Sequence, residues 1–305
     1  MSSEAPSNPE TAASADTGLA AATAVNRLSN APGWYTADLC TDWNFLTPSG
    51  GVLMSIALRA MQAELGDPEL RPLSANTLFM SPVPAGPMEI RVEVLRRGGV
   101  AAQLRAELSS TTLPGPGLEV SATFARQRPD GPSFTDAIFP DVPAPEDVPP
   151  EKAEERPAFF DNLEVVQVEG PPVFSEAGWE SSDALLTRWY RYRVPQTDAA
   201  GRYDRLALPP IIDNMPPAAF ARLGSDGPQM HAPSLDLTVH FLDDCDDEWL
   251  LLRHRAKKAH GGFATADVEA WSRGGKLVAV GTQMMIFRSM PANPASGFRR
   301  RNATP

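Results

Sequence analysis

Three residues in the C-terminal half of the chain have side chains that could act together on water and a carbonyl carbon: Asp213, Ser234 and Gln283. An ionised carboxylate can accept a proton from water, a hydroxyl can both donate and accept, and a primary amide can hold its neighbours in orientation. Asp213 stands in PPIIDNMPP, where it reads as the opening of a helix. Ser234 begins SLDLTVHF, a strand whose alternation puts Asp236, Thr238 and His240 on the same face as Ser234. Gln283 lies in a second strand, Lys276–Arg288, among Leu277, Ala279, Gly281, Met285 and Phe287. An amide on such a face must find partners or cost about 1–3 kcal/mol. We read the three as converging on one water and one carbonyl. Local sequence leaves an ordinary alternative for each: Asp213 as an N-cap with Pro216 or Pro217 in the first turn, Gln283 as a structural hydrogen-bonding amide, and Ser234 as a plain strand-start serine.

The elements that must hold these residues come in two similar sets. In the first, Gly50-Gly51 leads into VLMSIALRAMQAEL, with apolar residues at helical spacing and Gly66 at the stop. Strands follow over Leu73–Met80, Met88–Arg96, Ala101–Ser109 and Glu119–Arg126. The second set comprises strands around Leu163–Val168 and Leu185–Val194, the helix opening at Asp213, and strands over Ser234–Leu242, Glu248–Ala256, Gly262–Trp271 and Lys276–Arg288. PLSANTLFM matches PSLDLTVHF, and setting Thr77 on Thr238 gives an offset of 161 residues. A helix enclosed by an antiparallel sheet, occurring twice, predicts an α+β duplication. The expected organisation is a disordered tail over 1–28, a first unit over 29–128, a semi-extended Pro-rich linker over 129–162, a second unit over 163–290 and a flexible tail over 291–305.

Composition narrows the function classes. The chain has 305 residues, 42% of them hydrophobic, which suffices for a core in each unit. A formal net charge of −11 argues against nucleic acid and anionic membrane surfaces as partners. Cys40 and Cys245 offer no disulfide framework, and a start without a basic, apolar leader predicts a cytoplasmic protein. His231, His240, His254 and His260 are too scattered for a zinc set, so no metal is expected, and no cofactor motif is present. There is no G-x-S-x-G elbow for a serine nucleophile.

Several motifs in order, GGVLMSIALRAM, the F-x-x-P of Phe79–Pro82, VLRRGG, IIDNMPP, APSLDLTVHFL, EWLLLRHRA and GKLVAVGTQMMIFR, resemble the double-hotdog acyl-CoA thioesterases of the thioesterase II type. The resemblance implies a tandem hotdog fold and hydrolysis of acyl-CoA to free acid and CoA by water attack, in fatty acid metabolism, without a cofactor. It implies that Asp213, Ser234 (in a slot where the family more often has Thr) and Gln283 form the site, with Thr238 as the fallback hydroxyl. The first unit, with Gly51 or Val52 opposite Asp213 and Ala122 or Thr123 opposite Gln283, then completes the pocket without catalysing. Gly50 and Gly51, with backbone N–H groups at a helix start, and Arg255, Lys257, Lys258, Gly261 and Gly262 are the candidates for substrate contact. Exposed sheet edges favour a homo-oligomer. Three rival readings are an enoyl-CoA hydratase, which would want a histidine near Asp213, an acyl-binding or biosynthetic partner that kept the fold without the hydrolysis, and a thioesterase acting on acyl carrier protein, which the acidic surface disfavours.

Overall fold

The computed structural model describes residues 18–149, 156–173, 175, 177–198 and 200–289. The first unit contains α1 (Leu19–Ala22), β1 (Asn26–Arg27), β2 (Trp34–Leu39), α2 (Gly50–Leu65), β3 (Arg71–Phe79), β4 (Gly86–Arg97), β5 (Ala101–Ser110) and β6 (Leu118–Ala125). The second contains β7 (Leu163–Glu169), β8 (Leu185–Tyr192), α3 (Leu208–Ile212), α4 (Pro216–Ala221), β9 (Met230–His231), β10 (Asp236–Phe241), β11 (Leu250–His260), β12 (Phe263–Ser272), β13 (Leu277–Ile286) and β14 (Arg288–Ser289). Twelve of these strands form one antiparallel sheet in the order β1-β2-β4-β5-β6-β3-β10-β13-β12-β11-β8-β7. The α+β duplication read from the sequence is present, and β3 and β10 stitch its halves together.

Alternation makes each strand two-faced. In β4, Met88, Ile90 and Val92 are buried while Glu89, Arg91 and Glu93 face solvent. The inner faces wrap α2, whose Val52, Met54, Ile56, Ala57, Leu58, Ala60 and Met61 are fully buried around its circumference. Gly66 ends that helix in the left-handed region at φ 58°.

The β3–β10 register corrects the repeat by one residue. Asn76 pairs with Thr238, and Ala75 and Thr77 pair with Val239 and Leu237. Ala75, Thr77, Leu237 and Val239 are all buried, whereas Asn76 and Thr238 are half-buried on the outer face. The offset that preserves these faces is therefore 162, carrying Asn76 onto Thr238 and not Thr77 onto Thr238. A pseudo-dyad runs through that pair, where Asn76 Nδ2 donates to Thr238 Oγ1 at 2.8 Å. Ala122, in register with Ala75, then corresponds to Gln283.

The end of the expected disordered tail and the described part of the semi-extended linker both pack against the fold. Within the expected tail, residues from Gly18 onward pack: Leu19 and Thr23 are fully buried, and Thr23 Oγ1 accepts from Arg59 Nε at 2.6 Å. The described linker residues straddle the second unit, with Phe139, Val142 and Val148 on the outer-face cluster of Val166, Trp189, Leu251 and Trp271. Phe159 inserts between Trp43 and Phe45. Apolar residues among the prolines, with Trp189 and Trp271 on the opposite side, are what hold this strap. Residues 1–17 and the expected C-terminal tail lie outside the described residues. Among the described residues no helix is long and apolar enough to cross a membrane.

Besides the β3–β10 pairing, the halves meet where α2 packs on α3. A Cβ on Gly51 would lie 2.3 Å from the Pro209 carbonyl oxygen, so only glycine allows the approach. A second clamp is ionic: Arg71 of β3 and Arg205 of the second unit both bond Asp244, and Arg205 Nη1 also donates to the Pro72 carbonyl at 3.0 Å. For Gly51→Ala, the gain in helix propensity of about 1 kcal/mol is outweighed by a backbone clash that must separate the halves. We expect a net loss of about 2 kcal/mol or more, read as a lower Tm in thermal unfolding, whereas an unchanged or raised Tm would contradict this packing.

Candidate active site

Asp213 was expected to open a helix, and the structure differs. Pro216 and Pro217 occupy the first turn of α4 and have no N–H to donate to the Ile212 and Asp213 carbonyls, so the helical hydrogen bonding breaks there although Met215 keeps helical backbone, at φ −79° and ψ −33°. Asp213 is instead the C-cap of α3, with φ −65° and ψ −5°. Its carboxylate lies over the N-terminus of α2, in the other half of the molecule. Oδ2 accepts from the Gly51 N–H at 2.9 Å and from Ser49 Oγ at 3.3 Å. Ser49 occupies the N-cap position of α2 yet makes no cap bond to its own helix. Asp213 thus caps that helix from across the interface and takes up one of its free N–H groups. The offset of 162 sets Asp213 against Gly51, so equivalent positions of the two halves touch.

Gln283 joins the acid to the hydroxyl. It is buried on the inner face of β13, and its Nε2 donates to Asp213 Oδ1 at 2.7 Å and to Ser234 Oγ at 2.6 Å. Both amide hydrogens are thereby used. The reverse amide orientation would face Oε1 to a carboxylate, so the acceptors fix which end points where. Gln283 Oε1 has no hydrogen-bond partner among the described residues. Ser234 receives its bond on oxygen, which leaves the hydroxyl hydrogen free to donate elsewhere.

Simple alternation would have turned Ser234 away from this centre. Thr238 pairs with Thr282, so an unbroken ladder would place Ser234 opposite Ile286. Ser234 instead bridges Met285. The slip occurs at Leu235, whose N–H goes to the Met284 carbonyl at 2.8 Å, while Asp236 Oδ1 takes the Met284 N–H at 2.8 Å. One residue of slip moves Ser234 to the buried face that carries Gln283 and Met285. Thr238, the alternative hydroxyl, remains on the outer face, bonded to Asn76, and does not reach Asp213.

The predicted substrate contacts divide. Gly50 and Gly51 are at the centre, but the Gly51 N–H is committed to Asp213 and is not free for a carbonyl oxygen. Arg255 and Lys258 pair with Asp267 and Thr265 on the exposed face of the sheet, and Lys257 Nζ lies 3.0 Å from Asp267 Oδ1. Ala266, the register partner of Gln283, is buried on the opposite face. Arg255, Lys257 and Lys258 are therefore not brought to the carboxylate. Gly261 and Gly262, at φ 61° and 85°, form the β11–β12 turn, a backbone reason for both glycines. Sequence reasoning missed Ser49 and Phe79. A Cβ on Gly50 would lie 2.6 Å from Phe79 Cζ and 3.2 Å from Asp213 Oδ2, which places that ring beside the acid. Their signals, a serine before a glycine pair and an aromatic at a strand end, are too common to stand out.

Burial pushes the Asp213 carboxyl up to about 6, against the pull of its donors, Gly51, Gln283, Ser49 and Gly50. The helix terminus and burial therefore oppose one another here, and burial prevails. Among the described residues, no group of three or more histidines, cysteines or carboxylates could hold a metal ion.

Comparison with known proteins adds an independent line. Residues 140–287 match the family model described as the acyl-CoA thioesterase C-terminal domain, and residues 40–126 match its N-terminal counterpart. A search of curated protein sequences finds no match. Among solved structures, the chain is similar to a conserved protein with a hot dog fold from Alicyclobacillus acidocaldarius, with a TM-score of 0.76 and 23% identity over 90% of this chain and 98% of that one. It is also similar to acyl-CoA thioesterase II TesB2 from Mycobacterium marinum, with a TM-score of 0.70 and 21% identity over 90% of this chain and 99% of that one. The tesB protein of Mycobacterium avium subspecies paratuberculosis gives 0.70 and 20% over 88% of this chain and 98% of that one. At these identities the likeness speaks to the fold, a double hotdog.

The raised carboxyl has a consequence for stability. A group whose folded pKa, about 6, exceeds its reference value of 3.8 stabilises the fold most when protonated and loses that contribution as pH rises from about 4 through 6. The full difference is about 3 kcal/mol. Asp213→Asn should therefore gain stability relative to the native chain between pH 4 and pH 8, measured as the Tm difference at each pH. A difference that shrinks with rising pH would show the native carboxyl to be held below its unfolded value.

Proposed function

The chain belongs to the acyl-CoA thioesterase family, whose members are thioester hydrolases, and from that premise we propose that Asp213, Gln283 and Ser234 carry the hydrolysis. The observation that supports this set is the pair of bonds from one amide nitrogen to both the acid and the hydroxyl. Asp213 Oδ2 accepts from both Gly51 and Ser49, whereas Oδ1 accepts only from Gln283 and keeps a lone pair, so Oδ1 is the basic atom on this reading. Asp213 keeps 9% of its surface exposed and Ser234 is half-buried, which leaves room for water to approach.

In the proposed reaction Asp213 accepts a proton from water as the water oxygen attacks the thioester carbonyl carbon. The free hydroxyl hydrogen of Ser234 holds that water, and Gln283 fixes both partners at attack geometry, where orientation alone lowers the barrier by several kcal/mol. Collapse of the tetrahedral adduct breaks the C–S bond. The proton on Asp213 then passes to the departing CoA thiolate, leaving the free acid and an ionised carboxylate for the next cycle. A base poised near 6 is ionised at neutral pH yet more basic than an exposed carboxylate.

Release of free thiol from acyl-CoA substrates of graded chain length tests this directly. Asp213→Asn should lower kcat/KM by at least about a hundredfold, with Gln283→Ala also impaired because both of its partners lose their anchor. The native rate should fall as pH drops through about 6, where Asp213 takes up its proton. Full turnover by Asp213→Asn would remove the acid from the mechanism. Failure of the native chain at every chain length would favour the acyl-binding reading instead.

A further inference from the structure

We propose that Phe79 is a positioning residue of the same centre: its ring, supplied by the half that lacks the carboxylate, closes the solvent side of Asp213 and forms the wall against which the thioester lies. The inference rests on the functional reading above and extends it to a side chain that reading leaves without a role.

Phe79 ends β3 at the seam between the halves. Its N–H donates to the Leu235 carbonyl at 3.0 Å, so its backbone is tied to the slipped residue that turns Ser234 inward. Its Cζ and Cε1 lie 2.6 and 2.7 Å from where a Cβ on Gly50 would stand, and Asp213 Oδ2 lies 3.2 Å from that same point. The ring thus fills the space that a side chain at residue 50 would take, and this explains a glycine there whose backbone needs no positive φ. Phe79 itself is half-buried, with one side towards the core and the other towards solvent. An apolar ring in this position displaces water from the carboxylate without offering it a hydrogen bond, which disfavours the ionised form.

The other groups facing Asp213 are neutral. From α2 come Ser49 Oγ and the Gly50 and Gly51 N–H groups, and from β13 comes Gln283. α3 contributes Pro209, Pro210, Ile211 and Ile212. On β10, Asp236 is bonded to the Met284 N–H and lies on the outer face. On β11, buried His254 is pushed down to about 3 by burial and stays neutral near the Ile211 carbonyl. No ion pair to Asp213 is present among the described residues, so desolvation is the main lever on its proton, and Phe79 is an apolar side chain placed to add to it from the other half.

The test is the pH dependence of acyl-CoA hydrolysis by the full chain, read by thiol release, for the native protein, Phe79→Ala, Phe79→Leu and Asp213→Asn. Phe79→Ala should move the acid limb of kcat/KM downward by about one pH unit, as water reaches the carboxylate. It should also lower kcat at pH 8 by about tenfold through lost orientation. Phe79→Leu should restore most of the limb's position. If Phe79→Ala folds poorly by its Tm, Phe79→Val, a smaller side chain that leaves the carboxylate partly uncovered, gives the same reading with a smaller displacement. A limb unmoved in Phe79→Ala and Phe79→Val while Asp213→Asn is inactive overturns the role of Phe79 and leaves the acid in place. An active Asp213→Asn overturns the catalytic reading and this inference with it.

Discussion

One hydrogen bond, from the Gly51 N–H to Asp213 Oδ2, joins the two copies of the unit at the point where the chemistry is proposed to occur. A helix start leaves donors without partners, and a buried carboxylate needs donors to be tolerated at all. Here each problem answers the other across an interface. The bond can form only because Gly51 lets α2 approach the Pro209 carbonyl and because the proline pairs flanking Asp213 break its own helical segment. Everything else at the centre, from the orientation of Gln283 to the inward turn of Ser234, is arranged around a carboxylate fixed in this way.

On the proposed reading, the two halves divide the work differently from a catalytic unit and an idle one. The first unit has Ala122 in the place of Gln283 and Gly51 in the place of Asp213, so it has no acid–amide pair of its own. It nevertheless supplies Ser49, the α2 terminus and the Phe79 ring. The second unit supplies the titrating group, the amide and the hydroxyl. Duplication followed by such a split removes one site and places both halves around the other. The ionic clamp at Asp244 and the strap over Trp189 and Trp271 keep the sheet from shifting beneath it.

Much of this was legible in the residues. Hydrophobic spacing located α2, alternation located the strands, and motif order pointed to Asp213, Ser234 and Gln283, which the fold brings into contact. The parts that were not legible share a cause: they depend on tertiary partners. The proline pairs around Asp213 suggested a helix opening, but the N-terminus that binds the acid belongs to residues over 160 positions earlier in the chain. Alternation gave Ser234 the wrong face because the slip at Leu235 is set by how β13 pairs, not by local composition. The basic run at Arg255, Lys257 and Lys258 lies on the outer face beside Asp267, away from the carboxylate, a placement that comes from strand register and not from local composition. The one-residue error in the repeat arose because threonine matched threonine, whereas burial matches Asn76 with Thr238.

The central claim, that Asp213 acts as a base on water and not as a nucleophile on the thioester, is tested most directly by a single turnover in oxygen-18 water with enzyme in excess over acyl-CoA. Direct water attack predicts that the free acid from the first turnover carries one heavy oxygen. First-turnover acid without label, with the heavy atom found instead in the Asp213 carboxylate, would mean that the acid had been acylated, and would contradict the account.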